Sequence, residues 1–211
     1  MKYSNKDRQI NNDFYSYFIR HHQDDGWGDK DKYGNFELLC KIVDFTNSSL
    51  MNASVLDVGS GTGDFSEYLR KQGIKEYVGI DIFPMSVDLA KMKYNETFIC
   101  SDFLDYKFQR RFDYVFSSGA IAAILDTDNY QILTAFVSKM WRLAEKGVAF
   151  NFLTREYTKE NDDELFLYDF DEVLRICRNI VKSAPIKYVQ NRAGDNNEFL
   201  QTHIYLLKKQ R

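Results

Sequence analysis

Short apolar runs alternate along the chain with longer segments in which apolar residues recur every three or four positions. The short runs are rich in β-branched and aromatic residues, a composition typical of buried strands. The longer segments have the spacing of amphipathic helices. This order predicts a parallel sheet that is covered by helices. We expect strands at residues 54–58, 77–80, 97–100, 114–117, 148–153, 186–190 and 199–207.

Glycine, proline and polar residues mark the ends of the helical segments. Pro84 suits the start of a helix, while Gly73 and Gly147 follow expected helix ends. Gly194 lies in a polar turn between the last two strands, which predicts a hairpin with an antiparallel last strand. We expect helices at residues 36–43, 64–72, 85–94 and 129–145, and another from Asp171. The predicted fold class is α/β: a Rossmann-like doubly wound sheet of about seven strands, mostly parallel, with helices on both faces.

An aromatic cluster precedes the first expected strand. Phe14, Tyr17 and Phe18 fall at helical spacing, so we expect this segment to pack on the domain. A stretch rich in glycine and aspartate follows, and we expect it to close over a ligand as a lid. Its candidate residues are His21, His22, Trp27 and Tyr33. We therefore divide the chain into a lid segment at residues 1–35 and one α/β domain at residues 36–211.

Composition agrees with one globular domain of moderate size. The 211 residues are 44% hydrophobic, which is enough to bury a core. The net charge is -3, and the longest basic runs are the pairs Arg110-Arg111 and Lys208-Lys209. A nucleic-acid partner is therefore not expected, because phosphate-rich ligands require a clear cationic surface.

Cysteine usage and the first residues bear on the cellular compartment. Cys40, Cys100 and Cys177 are scattered and odd in number, which favours reduced, mostly buried thiols in a cytoplasmic protein. Residues 1–12 are polar and lack the apolar segment of a signal peptide. No stretch has the length and apolar character of a membrane span, so we expect no membrane association.

A glycine-dense turn at residues 59–63 is the strongest local signal. It follows an apolar run and precedes a helical pattern, so a ligand can approach bare backbone there. Asp81 ends the next apolar run, about 20 residues further along, where a βαβ unit places a carboxylate against ribose hydroxyls. The two features together predict a cofactor that contains a nucleoside.

Glycine spacing narrows the choice of cofactor. The third glycine of a dinucleotide fingerprint is replaced by Asp64 or Ser66, depending on the register. The Lys-Ser or Lys-Thr pair of a phosphate-binding loop is also missing. Asp57, Asp64 and Asp81 surround the turn and favour a cofactor with positive charge and no phosphate. S-adenosyl-L-methionine, which carries a sulfonium and an ammonium group, fits that description.

Four segments in order resemble the class I S-adenosylmethionine-dependent methyltransferases, in particular small bacterial single-domain members. Residues 55–63 resemble the glycine motif, and residues 77–81 the second strand with its ribose-binding acid. Residues 98–103 resemble the third strand with its Asp-aromatic pair, and residues 112–119 the fourth strand. The resemblance covers about half of the chain. It implies a methyl transfer to an oxygen, nitrogen or carbon atom of a small-molecule acceptor.

The resemblance also implies roles for individual residues around the cofactor. The backbone of the glycine turn would contact the methionine and ribose parts, Asp57 would lie by the ammonium group, and Asp81 would hold the ribose hydroxyls. Asp102 would accept from the adenine amino group, with Phe103 beside it and Ile82 covering the ring. The implied cofactor-binding residues are Asp57, Gly59, Ser60, Gly61, Gly63, Asp81, Ile82, Asp102, Phe103, Ser118 and, from the lid, Trp27.

Catalytic residues are fewer, because methyl transfer needs a base only when the acceptor must lose a proton. His21 and His22 are the candidates, whereas His203 lies within an expected strand and is interpreted as structural. Asp126 and Asp128 resemble metal ligands of catechol-type enzymes, but such a run more often caps a helix, and we expect no metal. Residues 117–120 lack the proline pair of enzymes that methylate DNA bases.

Three further expectations concern the acceptor and possible partners. The hairpin turn of the last two strands should face the acceptor, with candidates Arg192, Asp195, Asn197 and Glu198. The protein is expected to be a monomer or a homodimer. The alternatives are a non-catalytic protein that binds S-adenosylmethionine, or a subunit of an enzyme that methylates proteins. An NAD-dependent reductase would be supported only by binding of nicotinamide.

Overall fold

Seven strands form a single mixed sheet in this computed structural model, which describes residues 2–22, 29–156, 165–194, 197 and 199–209. The strands are β1 (Ser54–Val58), β2 (Glu76–Asp81), β3 (Thr97–Cys100), β4 (Phe112–Ser117), β5 (Ala144–Thr154), β6 (Ile186–Ala193) and β7 (Phe199–Leu207). Helices are α1 (Asn5–His22), α2 (Asp29–Cys40), α3 (Ile42–Thr46), α4 (Asp64–Lys71), α5 (Pro84–Lys93), α6 (Asn129–Leu143) and α7 (Phe170–Val181).

The order of strands in the sheet is β3-β2-β1-β4-β5-β7-β6. Strands β3, β2, β1, β4 and β5 are parallel to one another, and β7 runs antiparallel to both β5 and β6. The carboxyl ends of β1, β2, β3, β4 and β5 therefore share one edge with the turn between β6 and β7. The fold class expected from the sequence, including the antiparallel last strand, is confirmed.

Each face of the sheet carries its own apolar core. One face packs against α2, α3, α4 and α5, with Leu39, Ile42 and Leu69 fully buried. The other packs against α6 and α7, with Val137 and Cys177 fully buried. Because both faces are covered, the parallel strands read as continuous apolar runs in the sequence.

Several element boundaries differ from the sequence-based prediction. The helix expected at residues 129–145 ends at Leu143, and β5 begins at Ala144 instead of residue 148. The reason is that Ala144 has an extended backbone and pairs with Phe112 before a shift in register at the start of β4. The helix expected at residues 36–43 forms two pieces, α2 and α3.

Aspartate side chains cap the amino-terminal ends of α6 and α7. The Asp128 side chain accepts a hydrogen bond from Gln131 N at 2.9 Å, which makes it the N-cap of α6. Asp169 caps α7 in the same way. Cys40 and Cys177 are buried as expected, whereas Cys100 is exposed at the end of β3. None of the helices in the described ranges has the length and apolar character to span a bilayer.

Candidate active site

The glycine turn between β1 and α4 has the left-handed backbone that its sequence predicts. Gly59, Gly61 and Gly63 all have positive φ angles, which glycine adopts without strain. A side chain at Gly59 is also excluded by space, because an added Cβ would lie 2.2 Å from the Cβ of Ala120. The turn is held by the N–H groups of Gly59 and Ser60, which donate to Ile80 O at 2.8 and 3.2 Å.

Asp81 lies at the carboxyl end of β2 with both oxygens oriented by the backbone. Its Oδ2 accepts from Gly61 N at 2.8 Å, and its Oδ1 accepts from Phe83 N at 2.8 Å. The side chain is partly exposed and lines a cleft. The structure therefore ties the predicted ribose-binding acid directly to the predicted glycine turn.

A cleft with about 760 Å³ of empty space, open solvent included, lies at the carboxyl edge of the sheet. Six of the residues expected at the cofactor line it, namely Gly59, Gly61, Asp81, Ile82, Phe103 and Ser118. The structure brings these residues together from β1, β2, β3 and β4.

Helix α1 and the residues just before it supply another wall of this cleft. Tyr3, Asn11 and Tyr15 face it, and the Tyr15 hydroxyl donates to Gly119 O at 2.9 Å. Asp7 anchors the helix, since its carboxylate accepts from Thr127 N at 2.9 Å and Thr127 Oγ1 at 2.5 Å. Helix α1 is thus part of the site itself.

Asp102 is buried beside the cleft and is paired with α1. Arg8 donates to Asp102 Oδ2 through Nε at 3.2 Å and Nη2 at 2.9 Å, and to Asp105 Oδ2 at 2.5 Å. The other oxygen of Asp102 accepts from Leu104 N at 2.8 Å. The residue expected to meet the adenine amino group therefore already has a guanidinium and a backbone partner.

A second, smaller pocket adjoins the first across Gly59 and Ser118. Asp57 and Ser60 line it together with Lys32, Asn35, Phe36, Asp64 and Phe65. Asp57 is buried and accepts from the Tyr77 hydroxyl at 2.7 Å. This pocket brings the remaining acids of the expected cluster to the other side of the glycine turn.

A buried ion pair closes the second pocket. Lys32 Nζ lies 2.9 Å from Asp64 Oδ2, and the lysine side chain is only 6% exposed. Burial alone would raise the pKa of Asp64, but hydrogen bonds from Lys32 and Tyr94 outweigh this effect and lower it. Asp64 is therefore ionised, and the pocket carries both signs of charge.

Behind Ser118, a polar relay crosses from β4 to β7. Gly119 N donates to Asn151 Oδ1 at 2.7 Å, and Asn151 Nδ2 lies 3.4 Å from His203 Nε2. His203 is fully buried, and burial together with the charge of Lys41 lowers its pKa to about 3. It is therefore neutral, which agrees with its interpretation as a structural residue.

Other predicted residues lie elsewhere. Gly63 caps α4 and lines neither pocket within the described residues, although an added Cβ would lie 2.7 Å from Phe98. Gly194, which starts the hairpin turn, donates through its N–H to Asp31 Oδ2 at 2.9 Å. The turn therefore lies at the carboxyl edge, as expected. The side chains of His21, His22 and Trp27, and residues Asp195 and Glu198, lie outside the described residues.

Three residues of this site could not be predicted from the sequence. Arg8 and Lys32 lie in polar stretches, and their partners Asp102 and Asp64 are 94 and 32 residues away. Tyr15 lies within the aromatic cluster at residues 14–18, whose pattern does not single it out. The signal that was present, an aromatic helix too apolar for a tail, indicated packing without indicating which side chains would reach the cleft.

Comparison with known proteins supports this assignment of the fold. Residues 55–147 match the family model described as a methyltransferase domain. A curated relative, malonyl-[acyl-carrier protein] O-methyltransferase 1 of Ilyobacter polytropus, is 31% identical over 91 residues. That match spans 41% of this chain and only 34% of the relative, about a third of its length.

Solved structures extend the similarity to nearly the whole chain. The magnesium protoporphyrin IX methyltransferase of Synechocystis PCC 6803 with bound S-adenosylmethionine has a TM-score of 0.71 at 16% identity, covering 99% of this chain and 100% of that one. The N-methyltransferase NodS of Bradyrhizobium japonicum WM9 with S-adenosylhomocysteine has a TM-score of 0.67 at 17% identity, covering 92% and 98%. These matches confirm the class I methyltransferase fold that the sequence motifs indicated.

Proposed function

We propose that this protein transfers a methyl group from S-adenosylmethionine to a small molecule. The premise is that residues 55–147 match a methyltransferase domain and that the chain has a class I fold. The observation that carries the proposal is that Asp81 is joined to Gly61 in one pocket, while Asp57, Asp64 and Lys32 line a second pocket that adjoins it. This arrangement matches a nucleoside at one end and an amino acid at the other.

The larger cleft suits the adenosine part of the cofactor. Asp81 presents a fixed carboxylate for two ribose hydroxyls, a strong type of hydrogen bond because the acceptor is charged. Ile82 and Phe103 provide apolar surface for the adenine ring. Asp102, held by Arg8, would accept from the adenine amino group through a lone pair that remains after its pairing.

The smaller pocket suits the methionine part, which carries an ammonium and a carboxylate. Asp57 would lie by the ammonium, as the family resemblance implies. Lys32 would lie by the carboxylate, since its ammonium is buried in the same pocket at 6% exposure. The pair of Lys32 with Asp64 keeps each charge compensated before binding, which reduces the cost of burying either one.

When bound, the cofactor supplies a methyl group that its sulfonium already activates for attack. The protein's own contribution is then orientation and exclusion of water. Tyr3, which precedes α1, and Asn11 and Tyr15 of α1 cover the cleft. His203 is a poor proton acceptor, because its pKa is lowered to about 3. His21 and His22 stay the candidates for a base where the acceptor must lose a proton.

The covering of the cleft by α1 supports an acceptor that is a small molecule. The relatives act on acceptors of different chemistry, as their names state, so the acceptor is proposed only as a class. The net charge of -3 argues against nucleic acid. Free cysteines in the described part of the chain favour a reducing, cytoplasmic compartment. A monomer or a homodimer is proposed.

Calorimetry and a turnover assay test this proposal. We expect S-adenosylmethionine and S-adenosylhomocysteine to bind, and NAD not to bind. We then expect slow formation of S-adenosylhomocysteine with a panel of amines, hydroxy acids and sugars. Binding without turnover on any acceptor, small molecule or protein, would support the non-catalytic alternative. Binding of NAD in place of both adenosyl compounds would contradict the proposal.

A further inference from the structure

A second cleft lies at the opposite, amino edge of the sheet, far from the glycine turn in the topology. We call it the amino-edge cleft. It encloses about 1330 Å³ of empty space with open solvent included. The residues that line it are Thr46, Ser48, Arg111, Tyr114, Ala144, Glu145, Lys146, Lys208 and Lys209. Its cations are not used by the proposed methyl transfer.

Topology, not sequence, brings these cations together. Arg111 immediately precedes β4, Lys146 lies near the start of β5, and Lys208 follows the end of β7. Strands β4, β5 and β7 are neighbours, and β7 runs antiparallel to β5. Arg111 of the basic pair 110–111 and both lysines of the pair 208–209 therefore line one cleft. Lys208 N also donates to Lys146 O at 2.9 Å.

Positive charge in the cleft is only partly compensated. Lys146 pairs with Asp113 at 2.8 Å, and Glu145 is the one acid among the lining residues. Arg111, Lys208 and Lys209 form no ion pair with any described residue. Four cations against these two acids leave a local charge of +2 on a chain whose net charge is -3.

Arg110 provides an informative contrast to Arg111. Its Nη1 lies 2.8 and 2.7 Å from the two carboxylate oxygens of Glu76, and its guanidinium stacks on Phe112 at 4.6 Å. One arginine of the pair is therefore occupied, and the other faces the cleft without a counter-ion. The difference makes Arg110 a matched control for charge.

Hydroxyl groups form the floor of the amino-edge cleft. Ser48 Oγ lies 2.7 Å from Thr46 Oγ1 and 2.5 Å from the Tyr114 hydroxyl. On the rim, Lys208 Nζ lies 3.6 Å from the centre of the Trp141 ring. Burial lowers the pKa of Lys208, and the nearby charge of Arg111 lowers it further. An anion that binds both cations would offset the repulsion between them.

We propose that the amino-edge cleft binds the phosphate group of a small phosphorylated molecule, with Arg111 and Lys208 as its principal partners. Guanidinium and ammonium groups with nearby hydroxyl donors are the usual partners of phosphate oxygens. A concave site with few cations suits one phosphate group and does not suit a polynucleotide. The site is separate from the cofactor cleft, so it is independent of the proposed methyl transfer.

The indole N–H signal of Trp141 is a direct reporter, because Lys208 lies over its ring. We would titrate the full chain, without cofactor, with inorganic phosphate, with glycerol phosphate and with sodium chloride at matched ionic strength, recording two-dimensional NMR spectra. Both phosphates should shift this signal with saturation, at about 1 mM or below. Sodium chloride should not. A second signal, from the other tryptophan, should not move with the same dependence.

Variants distinguish a site from a diffuse basic surface. Arg111→Ala and Lys208→Ala should each weaken phosphate binding about tenfold, whereas Arg110→Ala, with the same change in charge, should alter it less than about twofold. Glu145→Gln should strengthen binding. These side chains, Lys208 apart, are exposed, so folding should persist, and amide spectra would verify it. A non-saturating response, an equal effect of sodium chloride, or equal losses in Arg110→Ala and Arg111→Ala would overturn the proposal. None of these outcomes bears on cofactor binding.

Discussion

Asp81 shows how one residue can connect a sequence motif to a site. Its carboxylate is held by two backbone N–H groups, from Gly61 and Phe83, and it still faces the cleft. Two backbone donors fix the orientation of the carboxylate before any ligand arrives, which lowers the entropy lost on binding. The position was predictable because the strand-turn-helix pattern and the spacing of about 20 residues are local signals.

Replacing Asp81 should reduce the affinity for the cofactor much more than it reduces the stability of the fold. We expect Asp81→Ala to reduce affinity for S-adenosylmethionine by about 1–3 kcal/mol, because ribose hydroxyls would lose a charged acceptor. Asp81→Asn, which keeps one acceptor oxygen, should fall between that variant and the wild type. Calorimetry measures the affinity, and the midpoint of thermal unfolding without cofactor serves as the control. Unchanged affinity in Asp81→Ala would refute the assigned role.

His203 leads to a prediction about pH. Burial and the charge of Lys41 lower its pKa to about 3, below its value in the unfolded chain of about 6.5. The unfolded chain therefore binds a proton below pH 6.5 that the folded protein does not. The contribution of His203 to the free energy of unfolding is therefore fully present above pH 6.5 and is lost progressively as the pH falls toward 3. Between pH 7.5 and 5.5 the loss should be about 1.4 kcal/mol.

Denaturant unfolding of the wild type and of His203→Gln at several pH values measures this effect. The variant should be less stable at pH 7.5 but should lose less stability than the wild type on acidification, by about the same 1.4 kcal/mol. Carboxylates such as Asp7, whose pKa burial would raise but hydrogen bonds from Thr127 and Ser4 lower to about 2, titrate in both proteins and cancel in the difference. Parallel curves would show that His203 is protonated in the fold.

At the scale of elements, α1 is the part of the site that the sequence indicated least. Its aromatic residues predicted a packed segment, and α1 does contact the domain. The expectation was wrong for Tyr17, which is 52% exposed because it lies on the outer face of the helix. What it contributes to the cleft depends on partners such as Asp102 and Gly119, 94 and 104 residues from Arg8 and Tyr15. No periodicity or motif reports a contact between residues so far apart.

The pairing of Arg8 predicts how α1 controls the cofactor. We expect Arg8→Ala to speed dissociation of S-adenosylmethionine about tenfold, because Arg8 bonds both Asp102 and Asp105 beneath the helix. Lys6→Ala is the matched control, since Lys6 pairs with Asp126 where both side chains are exposed. Such surface pairs contribute little, and the control should stay within about twofold of the wild type. Stopped-flow displacement by S-adenosylhomocysteine measures the rates, and equal rates in the two variants would contradict this role.

At the scale of the whole molecule, the sequence predicted the seven strands well. It predicted the boundaries of some elements, and the contacts around the sheet, poorly. Short apolar runs located the five parallel strands, because strands covered on both faces are continuously apolar. The edge strand β6 is mostly exposed, and it was located together with β7 through the polar turn between them. The start of β5 was missed because Ala144 lies at a helix end with no breaker between the two elements. The ion pair of Lys32 with Asp64 depends on how α2 packs against α4, and the amino-edge cleft depends on which strands are neighbours. Neither arrangement leaves a local signal in the sequence.

Cofactor binding should therefore protect some parts of the molecule and leave others unchanged. Since Tyr3, Asn11 and Tyr15 of the amino-terminal segment form a wall of the cleft, we expect α1 to move away when a ligand enters or leaves. Amides that exchange only through that opening should slow by up to about 100-fold at a cofactor concentration of 100 times Kd, which is about 2.7 kcal/mol.

Hydrogen exchange measured by mass spectrometry separates this local effect from general stabilisation. Peptides covering residues 5–17 and 59–66 should slow strongly when S-adenosylmethionine is added, because both line the cleft or adjoin it. Peptides covering β6, at the far edge of the sheet, should change little under conditions where they exchange by local fraying. Asp81→Ala, with its affinity lowered by about 1–3 kcal/mol, should show a smaller slowing at the same cofactor concentration, between about 20-fold and about 2-fold. Uniform slowing along the chain would mean that the cofactor stabilises the fold without trapping α1, and α1 would then be a fixed wall with the entrance elsewhere.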